Sequence, residues 1–111
     1  MNYDELLPSP EEIILKKIRT NSRWSLIILY LIKNLEENKF PITLKKAESD
    51  LLIPKALLFQ YFSFLESLKL LYNIKVSGIN KYVTTQEFKE IKDLLKKECE
   101  VQYARNNSKN T

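Results

Sequence analysis

Histidine is missing from the 111 residues, and cysteine and glycine occur once each, as Cys99 and Gly78. A zinc site built from thiolates and imidazoles needs several such ligands, and a Ser-His-Asp or Cys-His nucleophile needs an imidazole base. Both chemistries are excluded. One glycine cannot build the glycine-rich phosphate cradle of a P-loop or a dinucleotide fold. One cysteine forms no intrachain disulfide, which fits a reducing, cytoplasmic setting. The longest apolar run, Leu26 to Ile32, falls far short of the ~18–20 residues of a membrane span. The opening Met1-Asn-Tyr-Asp-Glu has neither the basic start nor the apolar core of a secretion signal. The inventory therefore predicts a binding protein and no enzyme, with no metal, no cofactor and no membrane partner.

What is present is the balance of a folded chain: 44% hydrophobic and 29% charged residues. The length suits one domain, expected over residues 1–104, with a disordered tail at 105–111. The net charge of +4 is unevenly spread. Residues 1–38 carry five basic and six acidic groups, and residues 86–111 carry six and five. Residues 39–85 carry seven lysines against Glu48, Asp50 and Glu66. The excess sits mid-chain, where a nucleic-acid partner is to be sought.

Local signals divide the chain into elements. Residues 1–8 read as frayed, and Ser9-Pro10-Glu11-Glu12 is a capping box that starts a helix over about 10–19. Thr20-Asn21-Ser22 breaks it and caps a second, about 23–38, with Trp24, Ile27, Ile28, Leu31, Ile32 and Leu35 at helical spacing. Phe40-Pro41-Ile42 reads as an extended link. Thr43 caps a third helix through about Leu51, and Pro54 opens a fourth over about 54–69 with Leu58, Tyr61, Phe62, Leu65 and Leu68 inward. Two β-prone runs, 72–76 and 81–84, flank Ser77-Gly78-Ile79-Asn80 and predict a hairpin. Thr84-Thr85-Gln86-Glu87 is a second capping box, opening a last helix to about Tyr103. The expected fold is mainly α with a small β-hairpin, in the order α-α-α-α-β-β-α.

Residues 41–71, PITLKKAESDLLIPKALLFQYFSFLESLKLL, with the hairpin and capped helix after them, resemble a winged helix-turn-helix. Ile42-Thr43-Leu44-Lys45 matches that family's entry into its first motif helix, and Ile53-Pro54-Lys55 the start of its recognition helix. Lys81-Tyr82-Val83-Thr84 resembles the strand leaving the wing. The likeness covers about residues 24–88. The flanking helices resemble those of PadR-like and archaeal plasmid- or virus-encoded members, in which terminal helices build a dimer. Leu52 and Lys69 stand where the family commonly has glycine. A non-glycine residue held left-handed there costs ~1–2 kcal/mol.

The resemblance implies sequence-specific binding of double-stranded DNA by a homodimer, as a transcription regulator or a plasmid partition factor, with other regulatory or partition proteins as further partners. It implies a nucleoid-associated location. At 100° per residue, with Leu58, Phe62 and Leu65 inward, the fourth helix presents Ala56, Gln60, Ser63 and Ser67. Gln60 can pair bidentately with adenine, and Ala56 or Leu57 can meet a thymine methyl. Lys55 and the first-turn amides can reach a phosphate. Lys75 and Lys81 bracket the wing tip with Tyr82 between them, and Lys45 and Lys46 can anchor the first motif helix. The same residues also suit an ordinary solvated face. Phe59 and Phe64 are expected to pack under neighbouring helices. If they do not, a winged-helix protein-interaction module without DNA binding is the alternative. For dimerisation, Phe88, Ile91, Leu95 and Cys99 form a stripe on the last helix, joined by Ile14 and Ile18 of the first. An apolar stripe of that length wants a partner helix.

Overall fold

The computed structural model describes residues 8–109, with side chains described for residues 8–105. Among these residues five helices and three strands follow in the order α1 (Pro10–Thr20), α2 (Ser22–Glu36), β1 (Ile42–Thr43), α3 (Leu44–Leu51), α4 (Lys55–Ser67), β2 (Leu71–Val76), β3 (Ile79–Thr84) and α5 (Gln86–Lys109). The fold is mainly helical, with one small antiparallel sheet of strand order β1-β3-β2. The expected first two helices, the α3 and α4 spans and the hairpin are all present within a few residues of their expected limits.

The ends of the elements follow from local chemistry. Ser9 Oγ accepts a hydrogen bond from the Glu12 amide at 3.2 Å, and Thr43 caps α3 by accepting from the Lys46 amide at 3.1 Å. α2 closes on left-handed Asn38 (φ 55°), with the Lys39 amide donating to the Asn34 carbonyl at 2.8 Å. α4 closes in the same way on Lys69 (φ 61°), where the Leu70 amide reaches the Leu65 carbonyl at 2.9 Å. Both are Schellman endings, and the second also brings two buried leucines together. α3 ends on Leu52 (φ 57°, ψ 36°), whose amide donates to the Glu48 carbonyl. Leu52 and Lys69 thus take the left-handed conformation expected of them. The Phe40–Pro41 peptide is cis.

Three expectations need correction, and one element was not foreseen. The hairpin turn is Ser77-Gly78 alone, both at positive φ, because Val76 and Ile79 already pair across it. The cap of α5 is Thr85, not Thr84: its Oγ1 accepts from the Phe88 amide at 3.2 Å and donates to the Lys69 carbonyl at 2.7 Å. α5 continues through Lys109 instead of ending near Tyr103, since lengthening an existing helix needs no new nucleus. Residues 1–7 and 110–111, expected to be frayed or disordered, lie outside the described residues. Strand β1 was not foreseen. Its two residues pair with Tyr82 and Lys81 of β3, and so short a strand has no period to read.

The chain divides into two compact units: residues up to Lys33 together with those from Ile91 onward, and Asn34–Glu90. In the first, the buried side chains include Ile14 and Ile18 on α1, Trp24, Ile27, Ile28, Tyr30, Leu31 and Ile32 on α2, and Leu95 and Cys99 on α5. Arg19 of α1 forms an ion pair with Glu98 of α5. Burial pushes the Cys99 thiol up to about 11, so it stays protonated at neutral pH. In the second unit α3 packs on α4, and Ala47, Ile53, Leu58, Phe62, Leu65 and Tyr82 are buried.

The residues expected at a dimer interface are buried within one chain. Ile14, Ile18, Phe88, Leu95 and Cys99 are each at most 1% exposed within a single chain, and Ile91 is half-buried. The apolar stripe is covered by the chain's own folding and needs no partner helix.

Candidate nucleic-acid interface

The α3–α4 junction is a three-residue turn, Leu52-Ile53-Pro54. Leu52 is 88% exposed while Ile53 is buried, so Ile53 anchors the turn and Leu52 only reverses the chain. Pro54 cannot continue α3, and its carbonyl accepts from the Leu57 and Leu58 amides at 3.0 Å, which starts α4. Pairing of Thr43 with Lys81 holds the start of α3 against the hairpin.

A recess of about 410 Å³ results, lined by Thr43, Leu44, Lys45, Lys55, Gly78, Ile79 and Asn80. It gathers the first turns of α3 and α4 and the hairpin tip around two exposed lysines. None of its lining residues is acidic. Among the described residues no ion pair engages the ammonium of Lys45 or Lys55. Lys46, expected beside Lys45, instead forms an i,i+4 ion pair with Asp50 at 3.2 Å.

Along α4, Ala56, Gln60 and Ser67 are exposed and Leu57 and Ser63 are half-buried, so the predicted face is largely accessible. Phe59 does not pack inward as expected. It is 48% exposed, one turn from Ala56 and Ser63, while Phe64 is half-buried. Helical spacing carries Phe59 about 100° round from Leu58, to the edge of the apolar stripe.

One residue of the candidate site escaped sequence reasoning. Glu48 Oε2 accepts a hydrogen bond from the Lys55 amide at 2.7 Å. A carboxylate from α3 thus occupies the N-terminus of α4, where the sequence reading expected a phosphate. The favourable end of the helix dipole already holds a negative charge. The seven-residue separation crosses a turn whose geometry sequence does not give, so no periodic signal could reveal the bond.

The hairpin also redistributes the predicted contacts. The register pairs Lys75 with Asn80, Ile74 with Lys81 and Asn73 with Tyr82. Side chains alternate along a strand, so Lys75 and Lys81 point to opposite faces of the ribbon. Lys75 is exposed and shares its face with Asn73, whose Nδ2 donates to Asn80 Oδ1 at 3.0 Å. Lys81 is half-buried. Tyr82, expected on the wing surface, is fully buried, edge-on to Phe62 with ring centroids 5.0 Å apart. The alternation that puts Lys81 outside puts Tyr82 inside, and burial raises its phenol above the ordinary value, with Glu66 adding to the shift.

Among the described residues no helix is long and apolar enough to cross a membrane. Comparison with protein-family models, with curated proteins and with solved structures found no match.

Proposed function

We propose that residues 42–88 act as a winged helix-turn-helix and that the protein binds double-stranded DNA. The observation that carries this reading is the recess where Lys45, Lys55 and the hairpin tip converge beside the accessible face of α4. Lys45 and Lys55 neutralise phosphates, which positions the protein without reading sequence. Gln60 reads an adenine edge, and Ala56 and Phe59 take thymine methyls in the major groove. Lys75 and Lys81, on opposite faces of the ribbon, do not share one phosphate run, so one of them at a time serves the wing contact. Such binding serves a transcription regulator or a partition factor in the cytoplasm.

Fluorescence anisotropy on labelled duplexes at two salt concentrations tests the reading. Lys45→Ala and Lys55→Ala are each expected to lower the log–log salt slope by about 0.9. Gln60→Ala is expected to cost about 1–3 kcal/mol on a selected site and little on random duplex. Affinity that is flat with salt overturns the proposal. Exposure of Phe59 favours a second reading, a protein-interaction module. In that case Phe59→Ala abolishes capture of a protein partner while no duplex binds.

A further inference from the structure

The outer face of α4 carries only part of the chemistry that reads base pairs. Lys55 is the helix's one cation, and it stands in the first turn, in the recess with Lys45. From Ala56 to Ser67 there is no arginine or lysine, the side chains that pair bidentately with guanine O6 and N7. Glu66, the one acid, is half-buried close to the Tyr82 phenol, so no exposed carboxylate is offered to cytosine N4. Ser67 Oγ donates to the Phe64 carbonyl at 2.6 Å, which commits its proton. Ala56, Phe59, Gln60 and Ser63 remain. Ala56 and Gln60 are exposed, Phe59 is 48% exposed and Ser63 is half-buried. Ala56, Phe59 and Ser63 follow at spacings of three and four and form one row, with Gln60 beside it. From Ala56 to Ser63 the row rises ~10 Å, about three base-pair steps. A phenyl ring and a methyl group have no hydrogen bond to offer a base edge. The group they can cover in the major groove is the C5 methyl of a pyrimidine.

We propose that α4 selects base pairs by their C5 methyl groups, so that thymine is read through its methyl and 5-methylcytosine is accepted where unmethylated cytosine is not. This rests on the DNA reading above and adds what the reading face distinguishes. Phe59 and Ala56 cover methyls on neighbouring steps, Gln60 takes N6 and N7 of an adenine, and the Ser63 hydroxyl, both donor and acceptor, tolerates either pair. Phe59 is the specificity-determining residue, because its ring supplies most of the apolar area on the row. The favoured core is a run of about three A·T pairs, and G·C pairs enter it only when methylated. Burial of one methyl group is worth about fourfold in affinity.

Selection of the full chain on a pool of random duplexes, followed by anisotropy titrations, tests this. The selected duplex is resynthesised with uracil for thymine, which keeps the pairing and removes only the methyl. The expected core is A·T, and uracil throughout it weakens binding about 15-fold, for two methyls at about fourfold each. Phe59→Ala is expected to reduce that penalty to about fourfold, while Gln60→Ala leaves it unchanged. Phe59→Ala should bind the uracil duplex about as well as the native chain does, which also shows that the variant is folded. At the position where Phe59→Ala no longer senses the methyl, 5-methylcytosine should bind about fourfold tighter than cytosine, and equally tightly in the variant. A uracil duplex bound as tightly as its thymine parent overturns the proposal and leaves the DNA reading standing; an A·T preference then comes from DNA shape. An unmethylated G·C core overturns it too, as does a uracil penalty that Phe59→Ala leaves intact. If no duplex binds in any arm, the DNA reading itself fails and methyl selection falls with it.

Discussion

Glu48 is expected to support the fold and to weaken DNA binding, so one substitution should move the two in opposite directions. Its carboxylate holds the Lys55 amide at 2.7 Å and places a negative charge at the start of α4. Glu48→Gln keeps an acceptor oxygen but removes the charge. A charge at a helix terminus contributes about 0.3–1 kcal/mol, so stability should fall by that amount. Glu48→Ala also removes the acceptor and should cost about 0.5–2 kcal/mol, as loss of a helix cap does. On DNA the sign reverses. A carboxylate about 8 Å from a bound phosphate repels it by ~0.5 kcal/mol in water, and the amide released in the alanine variant offers the phosphate one more donor. Affinity should rise by about twofold for Glu48→Gln and by up to about fivefold for Glu48→Ala, the gain shrinking as salt screens it. Urea unfolding gives the first quantity; anisotropy titration at about 50 mM and 200 mM salt, where both proteins are fully folded, gives the second. If both variants lose stability and affinity together, Glu48 acts only as a cap, and the start of α4 does not face phosphate.

Three further outcomes follow from burial and backbone. Leu52→Gly relieves a left-handed leucine that packs on almost nothing; strain relief of ~1–2 kcal/mol against ~0.5–1 of lost chain stiffness predicts a gain of up to about 1.5 kcal/mol in urea unfolding, and a loss would refute the strain argument. Tyr82→Phe removes a buried hydroxyl that has no hydrogen-bond partner among the described residues, and should stabilise by about 1 kcal/mol while leaving DNA affinity unchanged; lost affinity would return Tyr82 to the interface. Cys99, with its thiol raised to about 11 from an ordinary 9.0, favours the folded state fully below pH 9 and less as pH climbs toward 11. Cys99→Val should therefore flatten the stability loss between those two pH values, and the native thiol should resist an aromatic disulfide reagent at pH 8, rapid labelling being the contrary result.

The sequence by itself determined what depends on neighbours a few residues apart. Ser9, Thr43 and Asn38 mark helix ends because each bonds a backbone group within one turn or reverses the chain alone. The helical stripes on α1, α2 and α4 were legible for the same reason, whereas the left-handed Leu52 and Lys69 were marked only by the resemblance to a family that commonly has glycine there. Exposure of Gln60 followed from angle alone, once Leu58, Phe62 and Leu65 were set inward. Only the tertiary structure decided what pairs distant residues. Thr43 meets Lys81, Thr85 holds the Lys69 carbonyl, and Arg19 meets Glu98 across intervals with no periodic trace. The same holds for Tyr82, which alternation alone left free to face either way until Phe62 and the second-unit core claimed it. Burial of Phe88, Leu95 and Cys99 likewise depended on whether the chain itself could cover the stripe. An apolar pattern records that a face must be covered; which atoms cover it is fixed by long-range packing.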